Sequence, residues 1–71
     1  MSRELSTSEY LILTHLTLQE KEIAERTHFA LGTIKTYKQK LFSRLDAANS
    51  AQAIRNAIVL GYVTAEEFVK Q

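Results

Sequence analysis

Cysteine, proline and tryptophan are absent from this 71-residue sequence, and glycine occurs only at positions 32 and 61. Without cysteine the chain has neither disulfides nor thiolate metal sites. The two histidines, His15 and His28, lie thirteen positions apart and make a poor ligand set, so we expect no metal or cofactor. Because proline and glycine most often interrupt helices, their scarcity predicts helices joined by short turns.

Long apolar runs and an amino-terminal signal are also missing. A run such as Tyr10–Leu13 has four residues, whereas a membrane-spanning helix needs about 20. The start, "MSRELSTSE", lacks the apolar segment of a signal peptide. We therefore expect a soluble cytoplasmic protein without membrane contact. Its length fits a single domain, 1–71 with a core at 5–63, which is too small for a deep cleft.

One segment of the chain lacks acidic residues. Residues 26–45 contain five basic residues and no acidic residue, for a charge of +5, whereas the rest contains four basic and eight acidic residues, for −4. The net charge of +1 therefore hides a strongly basic segment. Such a segment is often only a solvated surface, so its meaning depends on the helix that carries it.

Helix starts are predicted by a polar capping residue followed three residues later by Glu or Gln. Four pairs have this pattern: Ser6 with Glu9, Thr17 with Glu20, Asn49 with Gln52 and Thr64 with Glu67. The resulting predictions are helix 1 at about 7–16, helix 2 at about 17–26, helix 4 from about 50 to Gly61, and a short tail helix. Helix 3 is predicted at about 33–45.

Apolar residues at helical spacing predict the core. In helix 3 the buried side is Ile34, Tyr37, Leu41 and Leu45, and in helix 4 it is Ala53, Ile54, Ala57 and Ile58. The tail helix offers Phe68 and Val69 as apolar contacts.

Helices 2 and 3 have the pattern of a helix-turn-helix, joined by "THFALG". This motif needs a small residue where the helices touch, a residue that tolerates left-handed backbone in the turn, and an apolar residue that seats the second helix. Ala24, His28 and Ile34 stand at these positions, and Phe29 fills the angle between the helices. The predicted fold is all-α: a four-helix bundle with a central helix-turn-helix, with or without a short fifth helix.

The outward face of helix 3 is polar and contains no acid. Its members are Lys35, Thr36, Gln39, Lys40 and Ser43. Lysine can bond guanine O6 or N7, glutamine can pair with adenine N6 and N7, and a threonine methyl can contact the thymine methyl. A carboxylate on this face would meet phosphate, which explains its absence. This pattern therefore favours a helix that binds double-stranded DNA over an ordinary amphipathic surface helix.

Four stretches resemble the LuxR/NarL/GerE group of bacterial transcription regulators: "LSTSE" at 5–9, "KEIAERT" at 21–27, "GTIKTYKQKLFSRLD" at 32–46 and "AQAIRNAIVLGYV" at 51–63. The resemblance implies a four-helix domain that regulates bacterial transcription. Its third helix would read the major groove and its fourth would form a twofold homodimer. The turn after helix 1 is about two residues shorter than usual in this group, so we expect helix 2 to begin early, at Thr17.

The resemblance also implies roles by position. Lys35, Thr36 and Gln39 match base-reading positions, and Lys21, Thr33 and Lys40 match phosphate-contacting positions. We add Lys38 and Arg44 as phosphate contacts. Lys38 lies within the buried arc of helix 3, so we expect its stem to follow the core while its ammonium reaches outward.

Helix 4 offers a candidate dimer interface around Val59. This valine projects away from Ile54 and Ile58, among polar residues, so the predicted interface is Gln52, Arg55, Asn56 and Val59. Each residue would meet its twin across a twofold axis. RNA polymerase is a further expected partner.

Other functions are weighed against this one. No nucleophile, base and oxyanion donor converge, and Glu20, Glu22 and Glu25 fit solvation of a helix, so no catalytic residue is expected and the protein is predicted not to be an enzyme. Two alternatives stay open: a small helical adaptor that binds a protein, and a promoter-reading domain like sigma region 4. The sequence also does not distinguish a free-standing regulator from the output domain of a longer one.

Overall fold

The computed structural model describes residues 5–70, which form four α-helices and no strand. The elements are α1 (Thr7–Thr14), α2 (Glu20–Thr27), α3 (Leu31–Arg44), α4 (Ser50–Val59) and a single 3-10 turn (Ala65–Glu67). The all-α prediction is confirmed. Helix α3 packs against each of the other three helices, so the predicted reading helix is central to the fold.

Helix α1 begins with the predicted capping box. The Ser6 hydroxyl accepts a hydrogen bond from the Glu9 amide at 3.1 Å, and the Glu9 carboxylate accepts one from the Ser6 amide at 3.0 Å. The helix ends at Thr14, earlier than the predicted 16, with His15 as its C-cap. Nδ1 of His15 lies 2.7 Å from the Leu11 carbonyl oxygen, which gives that terminal carbonyl a partner.

The predicted start of helix 2 at Thr17 is wrong. Helix α2 begins at Glu20, and its N-cap, Gln19, makes no side-chain capping bond. The Thr17 hydroxyl instead donates to the Val69 carbonyl at 2.6 Å. The Thr17 side chain therefore links the loop before α2 to the distant tail.

The other helix boundaries lie close to the predicted ones. Helix α3 begins at Leu31, slightly earlier than predicted, after an N-cap, Ala30, that has no side-chain bond. Asn49 caps α4 as predicted and accepts from the Gln52 amide at 2.9 Å. Gly61 follows α4 with φ of 85°, a conformation that glycine adopts at low cost.

The buried core draws on every helix and on the tail. Its members are Ile12, Leu13, Leu16, Ile23, Ile34, Leu41, Leu45, Ala53, Ala57, Val63 and Phe68. The predicted stripe of α3 is therefore buried except for Tyr37, which is half-buried. Ile58 was predicted to be buried and is exposed, because α4 turns the face of Ala53 and Ala57 towards the core.

The tail is fastened to α1 by three kinds of contact. Phe68 is buried in the core, the Val69 amide donates to the Thr14 carbonyl at 2.8 Å, and the Tyr10 hydroxyl donates to the Glu67 carboxylate at 2.7 Å. The predicted capping pair, Thr64 with Glu67, is present around the 3-10 turn. The tail thus closes one end of the helical core, beyond the predicted limit at residue 63.

Within residues 5–70, none of the helices has the length and apolar character needed to cross a bilayer.

Candidate nucleic-acid interface

The three predicted base-reading residues lie together on the exposed side of α3. Lys35, Thr36 and Gln39 are all exposed, whereas Ile34 and Leu41 on the opposite side are fully buried. Because Ile34 and Leu41 pack in the core, the opposite side of the helix is exposed to solvent. The predicted division of α3 is confirmed in this respect.

The turn that positions α3 is held by its own hydrogen bonds. His28 has φ of 62°, the left-handed conformation predicted for it, and its amide donates to the Ala24 carbonyl at 2.9 Å. Histidine is among the residues enriched in this region. The Thr27 hydroxyl donates to the Ile23 carbonyl at 2.6 Å, and half-buried Phe29 stacks on Tyr37. These contacts join the turn to α2 through hydrogen bonds and to α3 through the aromatic pair.

The Thr36 hydroxyl donates its hydrogen to the Gly32 carbonyl at 2.9 Å within α3. A threonine hydroxyl has a single hydrogen to donate. Thr36 therefore has no donor left for a base, and its methyl group is the apolar part that a ligand can meet.

Two predicted phosphate contacts lie beside the reading face. Thr33 and Lys40 line a shallow depression together with Ala30, Gly32, Thr36 and Tyr37. The Lys40 ammonium lies 5.5 Å from the centroid of the Tyr37 ring. Lys21 is also exposed, but it lies on α2, whereas Thr33 and Lys40 lie on α3.

Lys38 and Arg44 make ion pairs that sequence reasoning missed. Lys38 Nζ lies 3.6 Å from the Glu20 carboxylate, and Arg44 Nη1 lies 3.2 Å from both oxygens of Glu9. Lys35 and Lys40 make no ion pair within residues 5–70. The partners of Lys38 and Arg44 come from α2 and α1, and no local spacing signals such pairs.

The basic residues of α3 differ in their partners within residues 5–70. Lys38 and Arg44 are each paired with a carboxylate, and Lys35 and Lys40 are not. Lys38 also lies over the Phe42 ring at 5.8 Å, and Arg44 lies over the Tyr62 ring at 5.9 Å. Lys38 therefore contacts Phe42 of its own helix and Glu20 of α2, and a phosphate contact of its ammonium stays a prediction. The positive charge on the outward face of α3 comes from Lys35 and Lys40.

Acid is expected to weaken the link between α1 and α3. Hydrogen bonding from Ser6 and the charge of the Arg44 guanidinium hold the pKa of Glu9 below its ordinary value of 4.5. A lowered pKa stabilises the fold above the ordinary value, and this contribution disappears as the pH falls through the lowered one. We expect the free energy of unfolding to decrease below about pH 4.5.

Urea denaturation of the wild type and of Glu9→Gln between pH 7 and pH 3 measures this contribution. The variant should be less stable at pH 7 and should lose less stability on acidification. If both proteins lose stability equally with acid, Glu9 is not the group responsible.

The predicted dimer residues of α4 differ in how they are used within the chain. Val59 is 75% exposed, and Gln52 and Arg55 are exposed. The Asn56 amide donates to the Leu45 carbonyl at 2.9 Å and to the Asp46 carbonyl at 3.4 Å. Asn56 therefore fastens α4 to the end of α3.

The C-terminal end of α4 has exposed apolar side chains, which point in different directions around the helix axis. They belong to Ile58, Val59 and Leu60, three consecutive residues. Of these residues only Val59 was predicted to be exposed, because Ile58 has the spacing of a core residue. We refer to these three residues as the α4 patch.

The part of the chain that the structure describes contains no group of three or more His, Asp or Glu side chains able to hold a metal ion.

Comparison with known proteins identifies the family. The model of the GerE family, described as bacterial regulatory proteins of the luxR family, matches residues 3–57. No curated protein and no solved structure matches the chain. Members of this family are DNA-binding regulators and not enzymes, so the non-enzyme prediction is confirmed. The matched span contains α1, α2, α3 and most of α4, and the chain belongs to the GerE (LuxR) family of DNA-binding transcription regulators.

Proposed function

We propose that α3 enters the major groove of DNA and reads base edges through Lys35, Thr36 and Gln39. The observation that carries the proposal is the shared exposure of these three residues on a helix whose opposite face is buried. The same face carries no carboxylate that would repel phosphate. We propose that this reading regulates bacterial transcription in the cytoplasm, and the match to the family of DNA-binding transcription regulators supports a role in regulation.

Each of the three residues suits a different base. Lys35 can bond guanine O6 or N7, and Gln39 can pair with adenine N6 and N7. Thr36 suits thymine, because its hydroxyl hydrogen is used within the helix and its methyl can meet the thymine methyl.

Phosphate contacts are proposed for Lys21, Thr33 and Lys40. Thr33 and Lys40 lie beside the reading face, and Lys40 has no carboxylate partner within residues 5–70. Lys38 and Arg44 are secondary candidates, because carboxylates of α2 and α1 already neutralise them. A contact with RNA polymerase stays a prediction.

Gln39→Ala and Lys40→Ala separate base reading from phosphate binding. We expect Gln39→Ala to change the preferred base at one position, and Lys40→Ala to weaken binding to all sequences and to reduce the salt slope by about one unit. Selection from random duplexes and titration at several salt concentrations measure both effects. If both variants bind every duplex as the wild type does, α3 is not the reading helix.

We also propose a homodimer through α4. Internal hydrogen bonds of Asn56 and Gln52 hold the start and middle of α4 to the chain, and Arg55 and the α4 patch are exposed for a partner. Gln52 and Asn56 stay part of the proposed interface, although each also makes a hydrogen bond within the chain. A twofold pair of α3 helices would address half-sites roughly 10 base pairs apart.

Val59→Asp is expected to abolish the dimer on DNA, because two carboxylates would be buried close together across the twofold axis. Analytical ultracentrifugation with a palindromic duplex should show two wild-type chains per duplex and one chain of the variant. Glu66→Asp, a conservative change at an exposed tail residue, is the control. A wild-type complex that stays at one chain per duplex contradicts the proposal.

A further inference from the structure

Three side chains form a stack where the turn meets α3. The Phe29 and Tyr37 rings are nearly parallel, with an interplanar angle of 24° and centroids 6.4 Å apart. The Lys40 ammonium lies 5.5 Å from the Tyr37 centroid. We call this group the Phe29–Tyr37–Lys40 stack.

The two rings give the lysine a defined place before any ligand arrives. Phe29 and Tyr37 are both half-buried and pack against the core, so their positions follow from the fold. Lysine has a flexible four-carbon stem, and its ammonium is attracted to the face of an aromatic ring at this distance. The ring therefore narrows the range of positions that the ammonium samples.

The stack lies beside the face of α3 that is proposed to enter the major groove. Tyr37 and Lys40 line the same depression as Thr33 and Thr36, beside the outward face of α3. Lys40 makes no ion pair within residues 5–70, so its charge is not neutralised by a neighbouring carboxylate. An ammonium held in place before binding loses less conformational freedom when it contacts an anion.

We propose that Phe29 and Tyr37 are positioning residues, which hold the Lys40 ammonium for a phosphate of double-stranded DNA. The proposal rests on the proposed reading of DNA by α3. It assigns a role in binding to two aromatic residues whose packing alone would predict an effect on stability only.

A double-mutant cycle tests this role. The proteins are the wild type, Tyr37→Leu, Lys40→Ala and the double variant, all titrated with one duplex selected from a random library. We expect Tyr37→Leu to weaken binding about two- to fivefold, the range for an exposed cation–π contact. The double variant should bind no more weakly than Lys40→Ala, because Tyr37 acts through Lys40.

Two further variants separate positioning from folding. Tyr37→Phe keeps the ring and should bind as the wild type does. Phe29→Leu removes the ring that stacks on Tyr37 and should weaken binding, as Tyr37→Leu does. Phe42→Leu is the matched control, because Phe42 lies under Lys38, which is paired with Glu20. Binding by Phe42→Leu should be unchanged, and circular dichroism checks that each variant is folded.

The outcomes distinguish this proposal from the one on which it rests. Additive losses in the double variant, or unchanged binding by Tyr37→Leu and Phe29→Leu, overturn the positioning role. If Lys40→Ala binds as the wild type does, the phosphate contact of Lys40 is overturned and the positioning role with it. A changed base preference in Gln39→Ala would then still support reading by α3.

Discussion

Replacing Phe68 with alanine should lower the free energy of unfolding by about 3 kcal/mol or more, the usual cost of removing a buried aromatic ring. Phe68 is only 8% exposed and belongs to the same core as Leu13 and Ile23. A domain of this length has a total stability of about 4 to 10 kcal/mol. The loss would therefore remove about 30 to 75% of that stability.

Thermal and urea denaturation measure this effect, with Val59→Ala as the control. Val59 is also apolar but is 75% exposed, so its truncation should change the stability by less than about 0.5 kcal/mol. The family match ends at residue 57, and Phe68 lies beyond it. A Phe68→Ala protein as stable as the control would show that the tail is not part of the folded core.

The double variant Lys35→Ala with Gln39→Ala should lose about 2 to 6 kcal/mol of discrimination between specific and non-specific DNA, since a good base contact contributes about 1 to 3 kcal/mol. Both residues are exposed on α3, so their truncation should leave the core intact. Removal of one lysine should reduce the salt slope only modestly. The variant should therefore retain weak binding that no longer depends on sequence.

Competition between a selected duplex and random duplex DNA measures the discrimination directly. Lys70→Ala is the matched control, because it also removes one exposed lysine but lies in the tail. It should retain the selectivity of the wild type. A double variant that still selects the same sequences would contradict base reading by α3.

The wrong start predicted for helix 2 shows what a local capping pattern omits. The Ser6–Glu9 and Asn49–Gln52 capping patterns predicted real helix starts, because each bond joins residues within one turn. Thr17 has the same local pattern, yet its hydroxyl bonds Val69, 52 residues away. A local pattern cannot account for a partner that is brought near only by packing of the tail.

In the candidate site, too, the local features followed from the sequence and the long-range contacts did not. The outward face of α3 followed from the helical repeat. A rotation of about 100° per residue around the helix axis places Lys35 and Gln39 on a different side from Ile34 and Leu41. The ion pair between Arg44 and Glu9 joins residues 35 positions apart. The charge of Arg44 follows from the sequence, but its partner follows only from the packing of α1 against α3.

By itself, the sequence determined the all-α class, the left-handed turn at His28 and the polar face of α3, because these depend on neighbours within about four residues. Only the tertiary structure decided that Ile58 is exposed, that the Thr17 hydroxyl bonds Val69 and that Glu9 and Glu20 neutralise two of the basic residues. These outcomes depend on the angles and distances at which whole helices pack. Periodicity along one helix specifies which face is apolar, but it does not specify which neighbour covers that face.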